Sequence, residues 1–280
     1  MNSIALYLIA TPIGSPDDLS PRAARLLREA KLVIGEEFRP LTTLLKSLGR
    51  ERSPSNDDLM VLNEHSTDRD VLDLCERIAA TIGSGGYAAL ISDCGTPGFC
   101  DPGAPLVAAL RQRGYRVSSV PGASSLMCLL SASGVELRQF VFRGFLPAER
   151  EERERALREV AAEPRAQVLM DTPYRLMRLL DDLEQTTRDR IATLGCDLTT
   201  ESETYLTAAA HALKTQVAAW PPDKRKREFI ILLHACSVRG GGAAPSLREK
   251  TSEPKGQEQP ARSTKFPKTP GTSYRGPKRR

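Results

Sequence analysis

The chain has no apolar run close to the roughly eighteen residues that a membrane-spanning helix needs, so no membrane span is expected. Its first residues, MNSIALYLIATPIG, lack the basic flank and long apolar core of a secretory signal, and none is expected. Paired cysteines are missing as well. The six cysteines, at 75, 94, 100, 128, 196 and 236, include no CxxC spacing. That argues against a zinc site or a disulfide framework and fits the reduced cytoplasm. Histidines number three and stand apart, so no histidine-built metal site is expected. No internal repeat is detectable, and GxGxxG is absent, which disfavours a dinucleotide cofactor.

Positive charge is in excess only at the end of the chain. Residues 238–280 hold eleven Lys/Arg against three Asp/Glu, a balance of +8, so a chain of net charge +5 leaves about −3 for residues 1–237. The same segment is rich in Gly, Pro, Ser and Thr and nearly devoid of aliphatics. It cannot bury enough surface to offset its ordering entropy, and is expected to be a disordered basic tail. Such an arm either solubilises the protein or attracts polyanions, RNA most plainly. The folded body is expected over 1–237.

Within that body, strand-length apolar runs alternate with segments of helical period. IALYLIAT (4–11) breaks at Pro12-Ile13-Gly14 and is followed by SPRAARLLREA (20–30), with Ser20 placed to cap a helix and Pro21 at its first position. KLVIGEE precedes the helix PLTTLLKSLG, MVLNEH precedes DRDVLDLCERIAATIGSGG, YAALISD precedes GAPLVAALRQRG, and RVSSVPG closes the first half. Strands separated by such helices predict βαβ units and a mostly parallel sheet. The second half is expected to repeat the pattern. An apolar helix over 124–134, packed within the monomer or serving a subunit contact, leads to a strand over 140–147 and a charged helix over 149–160. AQVLMDTP, RIATLGCDL and EFIILLHAC are further strands; YRLMRLLDDLEQ and TAAAHALKTQVAAW are helices. A division near Pro121-Gly122 gives two α/β domains, 1–121 and 122–237.

The stretch LISDCGTPGFCDPG (90–103) crowds two aspartates, three glycines and two prolines behind a short apolar run. In parallel sheets, ligands bind beyond the carboxyl ends of the strands. Glycine lets backbone approach a ligand closely, proline stiffens the loop, and Asp93 supplies a fixed acceptor. TPIG after the first strand and PGASS after the fifth stand at the same edge. Any one of these loops reads equally as a tight turn; three at one edge point to a site.

Taken in order, LYLIATPIG, GEEFR, LISDCGTPGFCDPG, VPGASS, FRGFLP, MDTPYRL and EFIILL resemble the tetrapyrrole methylase family, whose two α/β domains enclose a cleft for S-adenosylmethionine. One such motif is weak, but seven in order across residues 4–236 are specific at the family level. The likeness is strongest to members that methylate a ribose 2′-hydroxyl in 16S rRNA. It implies S-adenosylmethionine as cofactor, a cytidine ribose of the small ribosomal subunit as acceptor, a homodimer, and no metal. A family member acting on a tetrapyrrole or a protein side chain is one alternative. An RNA-associated homologue without activity is the other.

By the same resemblance Pro12, Gly14, Asp93, Thr96, Ser124, Ser125 and Met170 contact the cofactor, and Glu36, Arg39 and Arg175 serve the reaction. Read from the residues alone, Asp93 is equally a turn-stabilising aspartate, Glu36 and Arg39 a surface ion pair, and Arg175 a solvated helix residue. The chain also departs from the ribosomal members. Glu37-Phe38 stands for Asp-Thr, Cys196 for Arg, Thr200 for Lys, Arg227 for Gly and Asp171 for Glu. The departures that remove cations fall in the second half. A sulfonium methyl donor is already activated, so in-line orientation supplies much of the acceleration. A ribose hydroxyl is a weak acid and gains from a base.

Overall fold

The structure, a computed structural model, describes residues 4–50 and 57–236; the expected tail, 238–280, lies outside the described residues. The five apolar runs of the first half are β1 (Ile4–Ile9), β2 (Leu32–Gly35), β3 (Leu59–Val61), β4 (Ala88–Leu90) and β5 (Arg116–Val120). They pair in the order β3-β2-β4-β1-β5, every pairing parallel. Parallel neighbours require long crossovers. These are α1 (Pro21–Glu29), α2 (Phe38–Ser47), α3 (Asp68–Gly83) and α4 (Gly103–Gln112). Two helix starts are dictated locally. Ser20 accepts from the Ala23 N–H ahead of Pro21, and Thr67 and Asp70 form a reciprocal capping box.

Leu26 and Leu27 of α1 and Leu41 of α2 pack with Ile9 and Val33 on one face of this sheet. Leu74 and Ile78 of α3 and Leu106 of α4 pack with Leu6 and Ile34 on the other. β1 and β4 are therefore adjacent strands whose following helices leave to opposite faces. The two chains diverge at the carboxyl edge and open a crevice between them, the usual ligand position in such a sheet.

The second half forms another sheet from β6 (Phe140–Phe145), β7 (Ala166–Met170), β8 (Ile191–Cys196), β9 (Thr204–Ala209) and β10 (Phe229–Leu233), in the order β6-β7-β10-β8-β9. Only β6 and β7 pair in parallel; the other three pairings are antiparallel. The repeat of a mostly parallel pattern expected here is not found. The connection 197–203 is too short for a crossover, so β9 must turn back along β8. β9 also takes residues expected to begin a helix. Its Thr204–Ala209 pair with β8 along their whole length, the hydroxyls of Thr193 and Thr207 lie 2.8 Å apart, and α8 (Ala210–Ala218) starts only afterwards. Alanine favours helix locally, but cross-strand pairing overrides that preference.

β10 sits inside the sheet and reads Phe-Ile-Ile-Leu-Leu because both its faces are covered. Ile230 and Leu232 meet Leu129 of α5 (Ser125–Ala132). Phe229, Ile231 and Leu233 meet α6 (Arg150–Ala162), α7 (Leu176–Thr187) and α8. Helix α5 thus follows a strand of the first sheet but packs on the second, with Leu129 fully buried and Met127 open to solvent. Residues 1–237 form one compact unit. Among the described residues no helix is long and apolar enough to cross a membrane.

Candidate active site

The loops at the carboxyl edge of the first sheet are fastened to one another. Thr11, just past β1, is buried and exchanges backbone hydrogen bonds with Gly95 at 2.8 and 3.2 Å. Its hydroxyl donates to the Ser92 carbonyl at 3.0 Å. Gly95 (φ 88°) and Gly98 (φ 81°) take left-handed backbone that side chains resist, and Cys100 (φ 62°) is held there without being glycine. Asp101 fixes the far end of this loop, its two carboxylate oxygens accepting from the N–H groups of Gly98 at 2.6 Å and Gly103 at 2.8 Å. Thr96 donates to the Ala123 carbonyl at 3.2 Å and so ties the fourth loop to the fifth.

Between this edge and the second sheet lies a cleft of about 240 Å³. Its apolar wall is made by Ile13, Phe99, Phe145, Met170, Leu198 and Ile230. Ser125 stands at the start of α5 and lines both this cleft and a smaller recess of about 70 Å³ beside it. Ser124 lines the recess and caps α5, accepting from Met127.

Negative charge converges on the cleft from three chain segments. Glu36 accepts from the Asp93 N–H at 3.1 Å. Desolvation raises the pKa of Glu36 above the usual carboxylate value, and the negative charge of Asp93 raises it further. Asp93 is raised by desolvation and by Glu37, against a hydrogen bond from the Glu37 backbone that lowers it. Glu228, on the facing wall and just ahead of β10, is raised by desolvation and by Asp197. The Cys94 thiol sits among them and is pushed up by desolvation, then by the charges of Glu228, Asp93 and Glu36. No Lys or Arg is among the described residues lining the cleft. Carboxylates pushed together without a cation call for a positively charged ligand.

S-adenosylmethionine fits this donor set. The carboxylates suit its sulfonium and ammonium, the apolar wall suits its purine, and the amino end of α5 offers donors to its carboxylate. Among the described residues no three His, Cys, Asp or Glu side chains are grouped to hold a metal ion.

The residues expected from sequence do not all meet at the cleft. Thr96, Ser124, Ser125 and Met170 line the cleft or its recess, and Glu36 and Asp93 are joined at its edge. Pro12 and Gly14 flank Ile13, but Gly14 has a packing task. A Cβ there would stand 2.3 Å from the Leu198 carbonyl, so only glycine lets the first loop close on the 197–203 turn. That closure is sealed by the Ser15 N–H, which donates to the Thr199 hydroxyl at 2.9 Å. Arg39 lies on exposed helix surface, and among the described residues it forms no ion pair, so the alternative reading of a surface pair with Glu36 is not met. Arg175 is drawn to Asp171, 3.6 Å away, beside Met170.

Asp101, Phe145, Leu198 and Glu228 were not singled out as site residues. Their signals are present but faint: Asp101 in LISDCGTPGFCDPG, Phe145 in FRGFLP, Leu198 in RIATLGCDL and Glu228 at the head of EFIILL. Cys196, which replaces a cation of the ribosomal members, is buried, and its thiol is pushed up to about 12 by desolvation.

A crevice at the edge of a parallel sheet, closed by a second mixed sheet, with an apolar wall and carboxylates at its border, is the kind of site that takes a small-molecule cofactor. A family model described as Tetrapyrrole (Corrin/Porphyrin) Methylases matches residues 5–213. Ribosomal RNA small subunit methyltransferase I of Xylella fastidiosa (strain Temecula1) is 40% identical over 233 residues, covering 83% of this chain and 82% of that protein. Among solved structures, diphthine synthase aligns with a TM-score of 0.60 at 13% identity, covering 83% of this chain and 90% of that one. Uroporphyrin-III C-methyl transferase from Thermus thermophilus, solved with S-adenyl homocysteine, aligns with a TM-score of 0.51 at 21% identity, covering 81% and 96%. At that identity the two structures show the fold. The chain belongs to the tetrapyrrole methylase family. It is an S-adenosylmethionine-dependent methyltransferase.

Proposed function

We propose that the chain transfers a methyl group to the ribose 2′-hydroxyl of a cytidine in the 16S rRNA of the small ribosomal subunit, as a cytoplasmic homodimer. The reading is carried by one observation, the 40% identity to the Xylella fastidiosa protein across more than four-fifths of both chains (83% and 82%). The same proposal gives the cofactor to Pro12, Gly14, Asp93, Thr96, Ser124, Ser125 and Met170.

When bound, S-adenosylmethionine supplies a methyl group already activated on a sulfonium. The chain's own residues do the rest. The apolar wall excludes water from around the donor, and the Gly/Pro loops hold their shape through the Thr11, Ser92 and Asp101 hydrogen bonds. Glu36, with its raised pKa and a carboxylate anchored by the Asp93 N–H, takes the acceptor's proton. Arg39 and Arg175 have guanidinium groups accessible to phosphates of the incoming RNA, and hold the acceptor rather than the donor.

The full chain is incubated with S-adenosylmethionine and with small subunits from a strain lacking the corresponding methylation. Nuclease fragments of 16S rRNA are then weighed. One cytidine should gain a methyl group, and the phosphodiester beside it should resist alkali, because the hydroxyl that would attack it is blocked. A methyl group on a base, or donor binding with no RNA product, would overturn the proposal.

A further inference from the structure

We infer that Tyr174 and Lys226 form a stacking platform for an unpaired nucleobase of the acceptor RNA at the mouth of the cleft; the inference rests on the RNA reading above. β7 and β10 run antiparallel with Met170 opposite Ile230, and both residues line the cleft. Tyr174 lies four residues beyond Met170, and Lys226 four before Ile230, so both segments leave the same edge of the sheet side by side. They meet there, with Lys226 Nζ 3.9 Å from the centroid of the Tyr174 ring. Tyr174 is nevertheless 76% exposed, the most open of the exposed large apolar side chains among the described residues.

An ammonium against one face of an aromatic ring holds the ring by cation–π attraction. The opposite face is left to a flat partner. A lone exposed side chain is ordinary on a protein surface. An exposed tyrosine seated on a cation at the lip of an active-site cleft is more specific. A 2′-hydroxyl can enter the cleft only if its nucleotide leaves the stack, and the bases it parts from need a replacement surface, which aromatic rings provide.

The charge around the ring agrees. Lys224, on the 3₁₀ turn Pro222–Arg225, is exposed and forms no ion pair among the described residues, whereas Arg227 is spent on Asp197 at 2.5 Å. Arg175 approaches from the β7 side, held to Asp171 at 3.6 Å. Cations thus stand at the rim, while Asp101 and Glu228 line the cleft. Phosphates are attracted to the lip and kept out of the donor pocket.

The test uses the full chain and four proteins: wild type, Tyr174→Ala, Tyr174→Phe and Lys226→Ala. Binding of a fluorescent single-stranded oligocytidylate is compared with binding of the same strand carrying abasic sites. S-adenosylhomocysteine titration reports an intact fold. Tyr174→Ala should weaken the base-bearing strand about tenfold and leave the abasic strand and the cofactor product unchanged. Tyr174→Phe should match wild type, and Lys226→Ala should weaken both strands. If Tyr174→Ala loses S-adenosylhomocysteine binding, Tyr174→Leu, which keeps bulk without a ring, is read instead. The platform is overturned if the ringless variant binds oligocytidylate like wild type, or loses both strands equally. A wild type that binds neither strand defeats the RNA reading itself, and the platform with it.

Discussion

Asp93 and Glu36 are held together by a backbone hydrogen bond, against the repulsion of their like charges. Glu36 accepts from the Asp93 N–H, and Asp93 accepts from the Glu37 N–H, so two loops are clasped at the cleft edge. Asp93→Ala removes one acceptor and half of that clasp. Binding of S-adenosylhomocysteine should weaken by about 1–3 kcal/mol, the cost of a lost polar contact. Unchanged affinity by titration calorimetry would remove Asp93 from the cofactor site. Glu36 makes a sharper case because its pKa is raised. The folded state then holds a proton that the unfolded state has already released. The associated stability is present below the unfolded carboxylate value, near 4.3, and is lost as pH rises through the folded value. At neutral pH the ionised Glu36 is therefore held against its preference. Glu36→Gln keeps a carbonyl for the Asp93 N–H without the charge. Thermal melts should show it more stable than wild type at pH 7, with the gap closing as pH falls toward about 4. A gap that widens on acidification would contradict the assignment.

At the scale of elements, a buried arginine fastens helices to the second sheet. Arg153 of α6, with its side chain 3% exposed, bonds Asp182 of α7 at 2.7 Å and Asp171 at 3.3 Å. Asp171 follows directly on β7 and has a fully buried carboxylate. One guanidinium thus fastens two helices to the end of the strand that carries Met170 into the cleft. Arg153→Met would leave buried carboxylate with only the more distant Arg175 opposite. Removing one partner of a buried pair typically costs about 3–5 kcal/mol. Urea titration should show a loss of that size, and adding Asp171→Leu should recover part of it. A loss under about 1 kcal/mol would mean that water reaches these groups. The turn between β8 and β9 shows the same dependence on distant contacts. Thr199 is held at φ 65° although it is β-branched, and its hydroxyl takes the Ser15 N–H from the first loop.

For the whole molecule, charge is divided between an acidic body and a basic end. Residues 238–280 carry a balance of +8, and residues 1–237 form a compact unit by themselves. A chain ending at Ser237 should melt at the same temperature and bind S-adenosylhomocysteine as before. Its affinity for ribosomal RNA should fall at low salt, and the dependence on salt should flatten, since fewer phosphates are neutralised. An unchanged salt slope would make the segment a solubiliser. Loss of cofactor binding would mean that it packs on the body. The proposed homodimer is tested by mass in solution at tens of micromolar. Met127 is one exposed apolar side chain of α5, but Leu129 points into the second sheet, so most of that helix is spent within the monomer. A purely monomeric protein would contradict the dimer.

What the sequence determined by itself is what neighbouring residues decide. Ser20 ahead of Pro21, the Thr67–Asp70 box, and the alternation of short apolar runs with helical periods mark the first half, because caps and periodicity act within a few residues. The glycine and proline loops marked one sheet edge as a site for the same reason: their backbone demands are local. Tertiary structure decided the rest. Residues 207–209 joined a strand because β8 lay beside them, against an alanine-rich preference for helix. Gly14 is required by the Leu198 carbonyl, contributed by a turn of the other sheet. Glu228 joins Glu36 and Asp93 around Cys94, while Arg39 stays in solvent and Arg175 turns to Asp171. Ser15 and Thr199 are 184 residues apart and share a hydrogen bond. Periodicity carries no information over such distances; it is the packing of α5 from the first sheet onto the second that brings those residues together.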